Sequence, residues 1–375
     1  MVTGRTVVSA LQLRRWSLVL ALALILAAVP VVINRWPVRA SAVDAGTLRA
    51  RIAASGRQAF QGYVQTTGLL GLPALPALSD VTALLSTTTE MRIWYGATDR
   101  WRVDVLGPGT EQDLYQTPDA QYRWDYGDNQ LIQIVGDQPV RLPRAADLTP
   151  PDLVRRILRI SGGDRVGPLA AKRVAGVDAA GLRLVPAGPD TTVAHVDIWA
   201  DPTTGRPLQA EITAKGGVRP VFVTRFLDID FRGPDAALLT PPAQRPGIGY
   251  TVTEAPDILS AINRREPASL PDRIAGLARR GAVPGVTVAD AYGTGLGSFV
   301  VVALPGRIGN EAYGRIATYG QEVTVPAGYA ALIATGLLSV LAVRTDDDQT
   351  YLVAGMVTPI LLHRVAVDLA GQVAR

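Results

Sequence analysis

The residues that could carry out chemistry are few and widely separated along this chain. The only histidines, His195 and His363, lie in segments that predict a strand and a helix, and neither has a second ligand at metal-binding spacing. The three aspartates at 346–348 lack the alternating spacing and the distal glutamate of a calcium loop, which favours a solvated hairpin tip. No nucleophile elbow or pair of catalytic carboxylates is present. The sequence therefore predicts no catalytic residues, no metal site and no cofactor.

The glycine-rich stretch GTGLGS, residues 293–298, superficially resembles a nucleotide-binding loop. A dinucleotide fingerprint requires a strand before the glycines and a helix after them. Here the following residues, FVVVALP, have the pattern of a strand. The stretch therefore predicts a hairpin turn.

A stronger signal is the alternation in MRIWYGATDRWRVDVL, residues 91–106. Apolar and polar side chains alternate on both sides of a short Gly/Asp turn, which predicts a β-hairpin. Arg92, Arg102 and Asp104 fall on the polar face, where we expect surface positions and ion pairs between strand aspartates and arginines. Aromatic residues are concentrated between residues 60 and 126. The apolar face covers either an ordinary core or a cavity.

Other segments predict the elements that must hold this hairpin. Residues 47–59 and 152–160 predict amphipathic helices, the second with a stripe of Leu153, Ile157 and Ile160. Turn signals about every ten residues predict an antiparallel meander. The Pro/Gly-rich segment 233–249 marks a domain boundary. Beyond it, the patterns predict helices at 257–265, 269–280 and 310–318. They also predict strand pairs at 286–305 and 331–357 and a terminal helix at 358–373.

The N-terminus predicts a membrane segment. Residues 17–33 are apolar and are preceded by three arginines and no acidic residue, so residues 1–16 are expected in the cytoplasm and 17–35 in the membrane. Ala40 and Ala42 offer a site for signal-peptide cleavage, so an anchor and a cleaved signal both remain open. In either case the bulk of the chain is extracytoplasmic.

Composition excludes other classes of protein. The net charge is only +4, and no cluster of basic residues is present, which argues against a nucleic-acid partner. The chain has no cysteine, so disulfides, thiolate catalysis and a lipid-modified N-terminal cysteine are excluded.

The order of these elements carries a resemblance to known families. An N-terminal helix, the strand FQGYV, the hairpin at 91–106 and LYQTPDAQYRWDYG resemble the start of the LolA/LolB lipoprotein-carrier fold. YGTGLGSFVVVALPG and YLVAGMVTPILLHRVAVDLA resemble the second domain of RseB/MucB-like regulators of extracytoplasmic sigma factors. The chain departs from the lipid-anchored members because it has no cysteine.

The resemblance implies an α+β protein with two domains. Residues 45–250 would form a curved antiparallel half-barrel covered by helices, and residues 251–375 a smaller α+β domain. It also implies an anti-sigma factor or another envelope protein as partner. An apolar concave face must be covered by helices or by a ligand, and a cavity lined by aromatic and aliphatic side chains suits an acyl chain. The candidate ligand-binding residues are Phe60, Tyr63, Met91, Ile93, Tyr95, Trp101, Val103, Val105, Tyr122 and Trp124.

Two functions follow from this interpretation. The first is a membrane-anchored extracytoplasmic sensor that regulates a sigma/anti-sigma system, with a lipid as its signal. The second is a lipid or lipoprotein carrier of the cell envelope. A retained anchor and a second domain favour the sensor, because a carrier must leave its membrane and needs only the half-barrel.

Overall fold

The computed structural model describes most of the chain. The described residues are 14–24, 38–39, 41–71, 79–136, 141–254, 270–282 and 289–372. The chain divides into two units, Met1–Arg39 and Ala40–Arg375. In the first unit, residues 14–24 are helical and belong to helix α1.

The predicted membrane segment falls largely outside this description. Residues 25–35 of the predicted span 17–35 are not among the described residues. Within the part of the chain that is described, no helix has both the length and the apolar character to cross a membrane. The choice between an anchor and a cleaved signal therefore stays a prediction.

Twelve strands form the first sheet of the second unit. They are β1 (Phe60–Gly68), β2 (Thr88–Ala97), β3 (Arg100–Gly107), β4 (Thr110–Gln116), β5 (Gln121–Asp125), β6 (Gln130–Val135), β7 (Arg165–Val174), β8 (Val177–Val185), β9 (Val193–Ala200), β10 (Pro207–Ala214), β11 (Phe222–Asp230) and β12 (Gly249–Glu254). The spatial order is β12-β6-β5-β4-β3-β2-β1-β11-β10-β9-β8-β7. β12 pairs with β6 in parallel, whereas the other neighbours are antiparallel. The sheet is open, because β12 and β7 are its two edges.

The hairpin predicted from the alternation is confirmed. β2 and β3 pair with Met91 opposite Val105, Ile93 opposite Val103 and Tyr95 opposite Trp101. Partners in a register share one face of the sheet. The predicted apolar face therefore exists as one continuous surface.

Helices cover this face unevenly. The helices of this region are α2 (Ala45–Ala54), α3 (Ser79–Ser86) and α4 (Pro150–Ile160), with 3-10 turns at Ser55–Arg57, Ala145–Leu148 and Ala236–Leu239. Leu48 and Ile52 of α2, with Ile157 of α4, form one core cluster with β8, β9 and β10. Over β2 and β3, the core cluster instead includes Ala145 and Ala146 of the 3-10 turn. The part of the sheet from β3 to β6 therefore receives the thinner cover.

The amphipathic stripe predicted for α4 is correct only in part. Ile157 is buried, whereas Ile160 is 38% exposed. Val154 and Leu158 are buried in place of Leu153, which is half-buried. The helix begins at Pro150, and the face that it packs into the core is that of Val154, Ile157 and Leu158.

Eight strands form the second sheet. They are β13 (Arg273–Ile274), β14 (Leu277–Ala282), β15 (Ala289–Tyr292), β16 (Phe299–Pro305), β17 (Gln321–Val323), β18 (Tyr329–Ala334), β19 (Ser339–Arg344) and β20 (Gln349–Gly355). Their order is β13-β14-β15-β16-β20-β19-β18-β17. Helices α5 (Gly306–Tyr319) and α6 (Pro359–Gln372) pack on this sheet in two separate core clusters. Ile316 of α5 clusters with Ala331 and Ala342. Leu361 of α6 clusters with Leu332 and Leu341.

The structure corrects one helix and leaves another untested. The predicted helix at 269–280 is wrong, because the segment contains β13, a tight turn and β14. Ala275 and Gly276 have φ values of +51° and +77°, which suit a two-residue hairpin turn and end any helix. The helix predicted at 257–265 lies outside the described residues. The terminal helix is confirmed as α6, and the Thr358 side chain caps it by accepting from the Leu361 N–H at 3.3 Å.

The two sheets meet within the second unit through buried contacts. Thr191 forms an isolated bridge with Val357, and the Leu296 N–H donates to Asp164 Oδ2 at 2.9 Å. Leu296 and Leu337 from the second region lie in the core cluster of the first. The predicted boundary at 250/251 falls inside β12, so Thr251–Glu254 belong to the first sheet. The division into two domains stays a prediction.

Candidate functional site

The first sheet has two faces with different surroundings. The helix-covered face contains Ile93, Val103, Leu114 and Ile132, a row that the strand registers connect. The opposite face contains the residues between them along each strand, because side chains of a strand alternate between faces. A ligand would therefore meet a different set of side chains on each face.

Seven of the ten predicted site residues lie on the helix-covered face. Five of them line cavities, namely Ile93, Tyr95, Trp101, Val103 and Val105. Phe60 and Met91 share the face but are packed in the core, with only 2% and 0% of their surface exposed. The Phe60 ring stacks on Tyr95 at 5.2 Å between centroids.

The other three predicted residues lie on the opposite face. Tyr63 pairs across the sheet with Arg92, Tyr122 with Tyr115, and Trp124 with Leu131. Trp124 and Tyr122 pack with Tyr115 and Leu131 in a separate core cluster. The sequence prediction grouped them by aromatic character, whereas strand alternation assigns them to the opposite face. There Tyr63 lines a separate, more open depression of about 430 Å³ with Arg92 and Trp94.

One cavity is predominantly apolar and has a volume of about 590 Å³. We call it the apolar cavity. Its walls come from the strands β2 to β6 and β12, from α3 and from the segment before α4. The charged residues of its lining are Asp80, Arg123, Arg141 and Arg144. The apolar side chains in its lining are Val81, Ala83, Leu84, Val103, Val105, Leu114, Ile132, Ile134, Leu142, Pro143, Ala145 and Ala146.

A second cavity of about 560 Å³ adjoins the first, and we call it the arginine cavity. Five arginines line it, from α2, from α4 and from the segment before α4. They are Arg49, Arg141, Arg155, Arg156 and Arg159. Asp147 and Asp152 are the acidic residues of its lining, so the formal charge around this cavity is positive. Val103, Arg141 and Ala146 line both cavities, which places the charged space directly beside the apolar one.

The two aspartates position some of these arginines. Arg141 donates to Asp147 Oδ1 at 2.8 Å, and Arg156 donates to the same oxygen at 2.5 Å. Burial raises the pKa of Asp147, but the hydrogen bond and charge of Arg141, the Arg144 backbone N–H and the charge of Arg156 together outweigh burial and hold the pKa below its usual value. Arg155 donates to Asp152 Oδ1 at 2.5 Å. A carboxylate ligand would therefore meet arginines whose orientation is already fixed.

Sequence reasoning missed most of this lining. The alternation in NQLIQIV, residues 129–135, was sufficient to identify Ile132 and Ile134 as members of one face. α3 follows a proline-rich stretch that predicted only a break, so no pattern indicated Val81 or Leu84. The prediction for α4 identified only its apolar stripe, so nothing connected its arginines with a binding site.

The opposite face corrects another expectation. Asp104 was expected at the surface, but Asp104 and Asp113 are only 1% and 0% exposed. Arg102 donates to both oxygens of Asp104, at 2.5 and 2.7 Å, and to Asp113 at 2.9 Å. The Arg102 guanidinium lies 4.9 Å from the ring centroids of Trp94 and of Tyr115. Aromatic side chains therefore exclude water from a face whose sequence is charged.

The other residues that the sequence singled out can be placed as well. His195 lies on β9, 3.8 Å from Asp197 Oδ2, and His363 lies on α6. GTGLGS forms a 3-10 turn at Gly295–Gly297 between β15 and β16, as predicted. Asp346–Asp348 lie at the tip between β19 and β20, also as predicted.

Comparison with known proteins finds matches among solved structures. No family model matches the chain, and no curated protein matches it. Among solved structures, the chain is similar to Pseudomonas aeruginosa MucB from a complex with MucA, with 20% identity, 87% of this chain and 98% of that chain covered, and a TM-score of 0.49.

Smaller proteins match part of the chain. A LolA superfamily protein from Nitrosomonas europaea is 15% identical, covers 53% of this chain and 99% of its own, and has a TM-score of 0.24. An uncharacterized conserved protein from Thermus thermophilus is 14% identical, covers 56% and 99%, and has a TM-score of 0.33. MucB and LolA superfamily proteins are therefore among the structural neighbours, as the sequence resemblance predicted.

Proposed function

We propose that this chain is an extracytoplasmic regulatory protein that senses an amphiphilic lipid through the two adjoining cavities. Residues 17–35 anchor it in the cell membrane, residues 1–16 lie in the cytoplasm, and the chain after residue 35 lies outside the cytoplasm. Its signal acts on a sigma/anti-sigma system, the partner class that the resemblance to RseB/MucB-like regulators implies. Its role is binding and regulation, without catalysis.

The observation that carries the lipid part is the contact between an apolar and a positively charged space. The apolar cavity, about 590 Å³, is within the range of small-molecule sites and has a wall made mainly of hydrocarbon. The arginine cavity shares Val103, Arg141 and Ala146 with the apolar cavity. A lipid with an acyl chain and an anionic end matches both spaces at once, because guanidinium groups bind carboxylates and phosphates well.

The regulatory part draws support from the architecture around the cavities. In this proposal the first sheet is a LolA-like half-barrel and residues 251–375 form a second, smaller domain. Buried contacts at Thr191 and Asp164 join the two regions. A change in the walls of the cavities therefore has a route to the second region, which a carrier would not need.

A fluorescent fatty acid tests lipid binding by the full chain, purified in a mild detergent. Val105→Trp places an indole in the apolar cavity, so a ligand can enter only by overpacking the wall. Overpacking costs about 1–3 kcal/mol, which corresponds to a loss of affinity of about fivefold or more. Leu106→Trp provides the matched control, because Leu106 is the next residue on β3 and lies on the opposite face. The probe should bind this variant as it binds the unmodified chain.

Failure of the folded chain to bind the fatty acid would reject the lipid-sensing proposal. An equal loss in both tryptophan variants would show that the probe binds outside the apolar cavity. A fatty alcohol of the same length should bind more weakly than the acid if the arginine cavity holds the anionic end.

The regulatory part needs a test in cells. Deleting the gene should change transcription from promoters that depend on an extracytoplasmic sigma factor. The Leu106→Trp variant should restore the original level, whereas Val105→Trp should not. Unchanged transcription after deletion would reject the regulatory role and leave the lipid-binding result standing.

A further inference from the structure

Two buried carboxyl groups face each other across β3 and β4. Asp104 and Asp113 are directly opposite in the strand register, and both are almost fully buried. Two ionised carboxylates in this arrangement repel each other, and each has lost most of its hydration. The pair therefore needs more compensation than an ordinary strand position.

The donors around the pair do not satisfy both groups. Arg102 donates to Asp104 Oδ1, to Asp104 Oδ2 and to Asp113 Oδ2, and the Tyr115 hydroxyl donates to Asp113 Oδ2 at 3.3 Å. Asp113 Oδ1 is buried and has no hydrogen-bond partner. The Arg102 guanidinium is thus shared by two carboxyl groups, and Asp113 Oδ1 accepts no hydrogen bond.

The other ionisable groups on this face do not supply the missing positive charge. Glu111 on β4 adds a third acidic group, with carboxylate oxygens of the three residues within 4.8 Å of one another. Arg92 on β2 faces the same side but is exposed. Glu90 on β2 also faces this side and accepts a hydrogen bond from the Tyr63 hydroxyl. β5 contributes Tyr122, β12 contributes Tyr250 and Glu254, and β6 and the turn Ala236–Leu239 contribute no ionisable side chain to this face.

We propose that Asp104 and Asp113 share one proton, and that this proton holds together the strand pair that walls the apolar cavity. A proton bound to Asp113 removes the repulsion and converts Asp113 Oδ1 from an unpaired acceptor into part of a neutral acid that can donate to Asp104. A divalent cation is the competing way to balance the charge, but both oxygens of Asp104 already accept from Arg102.

The pKa values of the two carboxyl groups agree with a shared proton and indicate the pH at which it is lost. Burial first, and then the charge of Asp104, raise the pKa of Asp113 to about 7. Burial also raises the pKa of Asp104. Because the folded-state pKa exceeds the value of about 3.9 in an unfolded chain, folding takes up a proton, and the resulting stability is lost as pH rises through about 7.

The consequence for the cavity follows from strand alternation and rests on the proposed function. Val103 and Val105 flank Asp104, and Leu114 follows Asp113, so the neighbours of the pair line the apolar cavity. Loss of the proton loosens the β3–β4 pairing from the opposite side. Lipid should therefore be held more weakly at pH 9 than at pH 6.

Urea unfolding of the full chain between pH 6 and pH 9 tests the shared proton without any ligand. A single group with a folded-state pKa of about 7 lowers the folding equilibrium constant about tenfold or more across this range. Asp113→Asn should remove that decrease. Asp125→Asn is the control: Asp125 lies on β5, away from the pair on the helix-covered face, and should keep the decrease.

Infrared spectroscopy provides a readout that does not depend on a stable variant. The unmodified chain should show the carbonyl band of a protonated carboxylic acid at pH 6 and lose it by pH 9. Absence of the band at pH 6, or a stability that does not change over this range, would overturn the proposal. Stability that calcium chloride restores at pH 9 in the unmodified chain, but not in Asp113→Asn, would identify a cation in place of the proton and overturn it as well.

The fatty-acid probe then tests whether the shared proton affects the apolar cavity, and it separates this effect from lipid sensing itself. Binding that weakens from pH 6 to pH 9 in the unmodified chain, but not in Asp113→Asn, is the expected result. Binding that is the same at every pH would overturn the coupling to the cavity. No binding at any pH, together with the expected unfolding and infrared results, would count against lipid sensing and leave the shared proton intact.

Discussion

β3 has two faces whose packing is the reverse of what their polarity suggests. On one face, Val103 and Val105 are apolar and line a cavity. On the other face, Arg102 and Asp104 are charged and lie in a closely packed cluster with aromatic rings. The comparison shows that the side chains packed against a sheet, rather than the polarity of its strands, determine which of its residues are closely packed.

The two faces differ because different parts of the chain pack against them. The helix-covered face depends on α2 and α4, whose apolar residues pack mainly on β8, β9 and β10. Over the strands β3 to β6, the cover comes from α3 and the 3-10 turn Ala145–Leu148. The opposite face supplies its own cover, because the Arg102 guanidinium lies against the rings of Trp94 and Tyr115.

Removal of Arg102 is the change with the largest expected effect on this comparison. Arg102→Ala leaves Asp104 and Asp113 buried without their guanidinium, so the free energy of unfolding at pH 8 should fall by about 3–5 kcal/mol. Arg92→Ala is the matched control, because Arg92 lies on the same face of β2 but is exposed, and should cost less than about 0.5 kcal/mol. Urea unfolding of the full chain measures both values. Similar costs for the two variants would show that the opposite face is solvated after all.

A smaller effect separates the packed part of the helix-covered face from the hollow part. Val64, Met91 and Val105 form one cross-strand row, with Val64 fully buried and Val105 beside the apolar cavity. Val64→Ala should destabilise the chain by about 2 kcal/mol, because it deletes two methyl groups and leaves a void. Val105→Ala removes the same atoms next to existing space and should cost less than about 1 kcal/mol. Equal losses in urea unfolding would mean that the cavity is absent in solution.

The sequence predicted the faces of β2 and β3 but not their surroundings. Alternation is a local property, so the placement of Met91, Ile93 and Tyr95 on one side could be read directly. The position of α4 over β10 depends on contacts between residues far apart in the chain, which no local pattern contains. The burial of Asp104 likewise depends on Tyr115 from the next strand and Trp94 from the previous one.

The same distinction explains the errors in the second region and in the candidate site. Residues 269–280 have apolar residues at helical spacing, but the turn at Ala275 and Gly276 converts them into two strands. Tyr122 and Trp124 were chosen as ligand-binding residues for their aromatic character, although the register puts them opposite the cavities. Composition indicated an aromatic-rich region, and only the pairing could divide it between two faces.

Tyr122 gives the smallest expected effect and the most direct test of that division. Tyr122→Phe removes one hydroxyl from the opposite face, so the affinity for a fluorescent fatty acid should stay within about twofold and the free energy of unfolding within about 0.5 kcal/mol. The positive control is Val105→Trp, which occupies the apolar cavity from the other face of the same sheet. A tenfold loss of affinity in Tyr122→Phe would place the ligand on the opposite face. The aromatic cluster would then be the binding surface, and the comparison between a hollow face and a filled one would have to be reversed.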